Sequence, residues 1–259
     1  MKKTFQVLNF LALIVTLAMN YLSSAGIFNG KTVADISDKY HNFFTPAGYA
    51  FSIWGIIYLG LFGFVIYTGK SLVIKKEADD GVVLKIGWWF ILSCLANSLW
   101  ILFWVNDQLW VTVLLMLFLL FSLVKIILNL NMEMEYHPLK KYVLIYWPFA
   151  IYTGWISVAF IADISAFLVK MNWNGFGLSP VIWTLIMIIV AGLLNIVMIR
   201  KRNLREFAIA GVWALVAIAV ENFQVEQSIF YTAIFVAVII FINIVISGAK
   251  NKDRNPQRM

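Results

Sequence analysis

The side chains able to hold or act on another molecule fall into three stripes. Tyr152, Trp155, Ala159 and Asp163 stand at i, i+3, i+7 and i+11, so on a helix they share one face. Phe51, Trp54 and Tyr58 stand at i, i+3 and i+7, and so do Asn97, Trp100 and Trp104. Such faces offer large rings for stacking, an amide with two donors and an acceptor, and one carboxyl. No phosphate-cradling glycine loop, nucleophile elbow or zinc-ligand spacing accompanies them. The residues therefore offer aromatic and polar faces able to line a shared pocket, and no catalytic constellation. Aromatics at helical spacing are also ordinary packing material. Three stripes that include both Asn97 and Asp163 make a shared pocket the competing reading.

The elements that carry these stripes are membrane spans. Of 259 residues, 62% are hydrophobic and 13% charged, against about 45–50% and about 25% in soluble domains. Eight apolar runs of bilayer length are expected at about 7–28, 47–69, 86–105, 109–130, 142–169, 180–199, 206–221 and 229–247. The chain reads as an all-α, polytopic transmembrane helix bundle. A carboxylate at the centre of such a span costs roughly 2.5–3.5 kcal/mol on insertion scales, so Asp163 is expected to face protein or water. Asn97 should hydrogen-bond a neighbouring helix or a ligand. The run of leucine and phenylalanine from Leu109 to Leu130 reads as lipid-facing. Gly48, Gly55, Gly60 and Gly154 are expected sites of close helix approach.

The net charge of +7 does not point to nucleic acid, because the basic residues cluster between apolar runs. Lys2 and Lys3, the lysines from Lys70 to Lys85, Lys125, Lys140 and Lys141, Arg200 to Arg205, and Lys250 to Arg258 fall on one side. Only Lys31, Lys39 and Lys170 fall on the other. This bias places both termini in the cytoplasm of a multi-pass cell-membrane protein. Lys2-Lys3, the apolar run and Ser23-Ser24-Ala25 also fit a cleavable signal peptide; the length of the run favours retention. The one cysteine, Cys94, excludes a disulfide within the chain. The long connection from Asn29 to Pro46 is either a lid or a solvated connector. His41 within it has no ligand-spaced partner, and Glu221 reads as solvated. Pro46 suits the start of the second span.

Three segments carry a resemblance: Phe44 to Tyr58 (FTPAGYAFSIWGIIY), Leu95 to Trp100 (LANSLW) and Trp147 to Ile156 (WPFAIYTGWI). In this order and spacing they resemble the TspO/MBR family of tryptophan-rich sensory proteins. The likeness covers residues 1–170 as a five-helix bundle, leaving 171–249 as three additional helices and 250–259 as a polar tail. Short family members have a doubled proline where this chain has only Pro46, and an asparagine late in helix five near the place of Asp163. The resemblance implies a pocket beneath the first external loop for porphyrins and other planar hydrophobic molecules. It would be lined by Pro46, Phe51, Trp54, Tyr58, Asn97, Trp100, Tyr152 and Trp155. No resident cofactor is indicated; a porphyrin or haem would be the ligand. The expected function is membrane binding or sensing of a tetrapyrrole-like molecule without an enzymatic step. The alternative is a carrier of a small hydrophobic or amphipathic solute that uses Asp163. Expected partners are lipid and a hydrophobic small molecule, with homodimer formation open and no nucleic acid.

Overall fold

A computed structural model describes residues 1–72, 81–134 and 137–254. Lys75, Lys76 and residues 255–259 of the polar tail lie outside the described residues. Among the described residues the regular structure is helical, with no strand. The order is α1 (Lys2–Ser24), a short α2 (Val33–Lys39), α3 (Ile53–Gly69), α4 (Gly81–Ile86), α5 (Trp89–Val105) and α6 (Leu109–Asn129). Then come α7 (Leu139–Lys141), α8 (Trp147–Lys170), α9 (Pro180–Arg202), α10 (Arg205–Asn222) and α11 (Gln227–Arg254). The eight longer helices occupy the eight expected runs. Six segments are long and apolar enough to cross a membrane: Lys2–Ser24, Gly48–Leu72, Leu109–Asn129, Leu139–Lys170, Pro180–Arg202 and Gln227–Lys250. Helix α5 is apolar but has 17 residues. Helix α10 buries Ala208, Ala210, Gly211, Ala214, Ala217 and Ala219 against its neighbours and leaves Ile209 and Val220 exposed.

Local sequence explains several boundaries. Thr32 and Asp35 form a reciprocal capping box that starts α2 inside the long connection. Ser179 caps α9 with Pro180 behind it, and Asn203 ends α9 in the left-handed conformation. Pro46 does not begin a regular helix; a 3₁₀ turn over Gly48–Ser52 intervenes before α3. The fifth run enters through a π-helical turn, Tyr142–Tyr146, just ahead of Pro148. That wider turn makes room for a ring that has no N–H and crowds the carbonyl four residues back.

Helix α5 packs on α1 and α6, and α8 packs on α3, α6 and α10, with α9 and α11 closing against α10. The close approaches fall at two of the four expected glycines. A Cβ on Gly60 would stand 3.0 Å from the Pro148 ring, and one on Gly154 would meet the backbone of Phe207 in α10. Gly48 and Gly55 face open space, because both are exposed. Helix α6 is not wholly lipid-facing. Thr112, Met116, Leu119, Ser122, Leu123 and Ile126 bury one of its faces against α5 and α8. Helix α1 likewise turns Gln6, Asn9, Thr16 and Ser23 inward, and joins α5 and α3 as an integral wall.

Candidate functional site

The three stripes meet around a cavity of about 750 Å³, within the range of small-molecule sites. On the α3 wall Trp54 and Tyr58 stack at 5.2 Å with ring planes 21° apart. On the α5 wall Trp100 and Trp104 stack at 5.0 Å and 22°. Both pairs follow from i, i+4 spacing, which lays one ring over the next along a helix. The α8 wall brings Trp155, edge-on to Phe51 at 6.0 Å. Pro46, Phe51, Trp54, Tyr58, Asn97, Trp100, Trp104, Trp155 and Asp163 all line the cavity. Tyr152 stands behind the lining, 2% exposed, with its ring edge against Trp54. Its hydroxyl accepts from Asn97 Nδ2 at 3.2 Å, while Asn97 Oδ1 accepts from Asn20 of α1 at 3.2 Å. The amide at the cavity floor is thus fixed from both sides.

Asp163 is buried in the α8 wall with both carboxyl oxygens in contact with donor-bearing groups. Thr112 Oγ1 of α6 lies 2.9 Å from Oδ1, and Trp100 Nε1 donates to Oδ2 at 3.4 Å. The carboxyl therefore ties α5, α6 and α8 together and still presents lone pairs to the cavity. Trp155 is 3% exposed, and its Nε1 is buried without a partner among the described residues. An unsatisfied buried N–H costs about 1–3 kcal/mol, and here it belongs to a side chain at a cavity wall.

The connection between α1 and α3 is a lid. Thr32, Val33, Ser37, Tyr40, Asn42 and Phe44 all contribute to the cavity lining. Trp104 Nε1 donates to the Val33 carbonyl at 3.0 Å. Asp107, at the tip of the α5–α6 hairpin with φ 63°, accepts from Lys39 and, at 3.0 Å, from Tyr40 of the lid. It also accepts from Lys170 at the end of α8, at 2.9 Å. Helix α10 holds the other end of the connection. Ala47 N donates to the Ala217 carbonyl at 3.1 Å. Trp213 Nε1 donates to Ala50 O at 3.0 Å, and Asn222 Nδ2 to Phe43 O at 3.0 Å. His41 lies 3.1 Å from Glu221, so Glu221 is paired at the cavity rim rather than merely solvated.

Partial burial raises the pKa of Asp107, but the hydrogen bonds from Lys39, Lys170 and Tyr40 outweigh it and bring the carboxyl down to about 2. A depressed acid stabilises its partners above its unfolded pKa, near 4, and loses that stabilisation as pH falls through the folded value. The clasp is therefore fully formed at every pH from 5 to 8. Asp107→Ala should speed amide hydrogen exchange across Val33–Tyr40 by about tenfold at fixed pH, the equivalent of one charge-assisted hydrogen bond. Exchange equal to the parent protein would mean the lid is held elsewhere.

Thr112, Asp107 and Asn20 carry no local sequence signal for these contacts. Each is a short polar residue whose role depends on a partner on another helix. Together the fold and the cavity define a multi-pass helical membrane protein with a lidded aromatic chamber among its spans. The chain belongs to the TSPO-like protein family, which it matches over residues 6–246. That match runs through α9, α10 and α11 as well as the first five spans. No curated protein and no solved structure matches the chain.

Proposed function

We propose that this TSPO-like membrane protein binds a planar hydrophobic small molecule of tetrapyrrole-like shape in the chamber beneath its lid, as a receptor or sensor, with no chemical conversion. The observation that carries this reading is the pair of stacked ring ladders, Trp54–Tyr58 and Trp100–Trp104, on the walls of one cavity. Flat molecules gain area and quadrupole-matched contact from such walls. The basic residues support a cell-membrane location with the lid outside and both termini in the cytoplasm.

A carrier is the second reading, favoured by the inward polar face of α1. Gln6 Nε2 donates to Thr68 O at 2.6 Å, and Thr16 lies near Ser98 at 3.4 Å. Asn20 then reaches the cavity floor at Asn97. These groups form a polar seam running from the chamber toward the end of α3, with Asp163 in the wall above.

Titration of the detergent-purified protein with protoporphyrin IX and with acridine, followed by tryptophan quenching, tests the binding reading. Saturable quenching by at least one of them, with Kd roughly micromolar, is expected. Linear, non-saturating quenching by both would remove it. Counterflow of a bound probe in proteoliposomes would separate carrier from receptor.

A further inference from the structure

The charge of the chamber narrows the ligand class. The lining holds Asp38, Asp163, Glu221 and His41 and, among the described residues, no lysine or arginine. The cations flanking the lid, Lys31, Lys39 and Lys170, all lie outside the lining; Lys39 and Lys170 pair with Asp107, and Lys31 interacts with Asp35. Any acidic ligand entering past Asp38 and Glu221 would meet like charge at the rim and again at Asp163 in the wall. Nothing in the lining would neutralise a carboxylate except His41, which already faces Glu221. A cation meets the reverse situation. The acidic rim draws it in, and the faces of Trp54, Trp100 and Trp104 attract positive charge through their quadrupoles. Asp163 then supplies a counter-charge whose orientation is already fixed by Thr112 and Trp100.

Resting on the binding reading above, we infer that the chamber selects planar aromatic cations over planar carboxylates, with Asp163 as the counter-ion inside and Asp38 and Glu221 as the rim. The unpartnered Trp155 N–H adds a donor, so the best ligand pairs its positive group with a ring nitrogen or carbonyl that accepts. Tetrapyrroles with free propionates are then poorer ligands than their uncharged esters.

The test uses three planar tricyclic probes of different charge at pH 7.5 in a neutral detergent: proflavine as cation, acridine as neutral molecule and anthracene-9-carboxylate as anion. Proflavine is expected to bind about tenfold or more tightly than acridine, and the carboxylate most weakly, as like and unlike charges against low-dielectric walls dictate. Asp163→Asn should cost proflavine more affinity than acridine and shrink the gap between them. Asp38→Asn with Glu221→Gln should shrink it further and lower the proflavine on-rate; this rim pair also carries the test if Asp163→Asn does not fold. A carboxylate that binds as tightly as proflavine overturns the inference and leaves the planar-ligand reading standing. So does a gap unchanged in the acidic-residue variants. If none of the three probes saturates while protoporphyrin IX does, the inference fails and the binding reading stands; if protoporphyrin IX does not saturate either, both fail.

Discussion

Replacing Trp100 and Trp155 together with leucine is expected to weaken binding of a saturating planar ligand by roughly 30- to 150-fold, the equivalent of about 2–3 kcal/mol. The two rings come from different walls: Trp100 is the lower member of the α5 ladder, and Trp155 faces Phe51 across the α8 side. Leucine keeps the surface apolar, so hydrophobic burial is largely retained. What is lost is flat area, ring–ring contact and the indole N–H groups. One of those N–H groups is the Asp163 partner and the other is unpaired at the wall. The fold should tolerate the change better than a core truncation, because both side chains border the empty volume of the cavity. Trp110→Leu is the control. Trp110 is 61% exposed on α6, lies outside the lining, and should leave Kd within twofold of the parent. Isothermal titration, which does not depend on tryptophan emission, makes the comparison clean. Equal Kd in the parent and the double variant, at equal thermal midpoints, would reduce the stripes to packing and leave the cavity without a demonstrated role.

Helical periodicity made the stripes legible, because it is a local property: Phe51, Trp54 and Tyr58 must share a face wherever α3 lies. The same logic fails for depth. Tyr152 shares a face with Trp155 but sits one turn lower, and there it buttresses Asn97 instead of lining the cavity. Partners that are remote in sequence left no signal. Thr112 stands in an apolar run where its hydroxyl can bond its own helix, at the Leu109 carbonyl 2.7 Å away. Nothing local therefore marks it as a contact of Asp163, 51 residues on. The His41–Glu221 pair spans 180 residues, and the Asp107 clasp joins residues from three separate connections and helix ends. The length of the connection left a lid and a solvated connector equally open. What made it a lid is α10, whose Ala217 carbonyl, Trp213 and Asn222 side chains fix the chain from Phe43 to Ala50. Glycines illustrate the same limit. Absence of a side chain permits close approach at Gly48, Gly55, Gly60 and Gly154 alike, and only the arrangement of neighbouring helices decides where it is used.

That contrast yields a pair of substitutions with opposite expected signs. Gly154→Ala places a Cβ 2.9 Å from the carbonyl carbon of Phe207 and 3.0 Å from its Cα. These are backbone atoms of α10, and no rotamer change can move them aside. Helices α8 and α10 must then separate. Overpacking in a rigid contact costs about 3 kcal/mol, at the upper end of the usual range, or roughly 6–12 °C in thermal midpoint for a chain of this size. The damage would not stay at the contact, because α10 also carries the lid anchors. A shifted α10 loosens Phe43–Ala50, so ligand affinity and amide protection in that segment should fall together. Gly55→Ala offers the reverse case. Its Cβ would meet nothing within 4 Å, and the substitution removes backbone freedom from the unfolded chain, so it should be neutral or stabilising by up to about 1 kcal/mol. A Gly154→Ala protein as stable as the parent would show that α8 and α10 are not in backbone contact. The chamber would then have to be built without its α10 wall, and the lid would lose the support from which its closed position is argued.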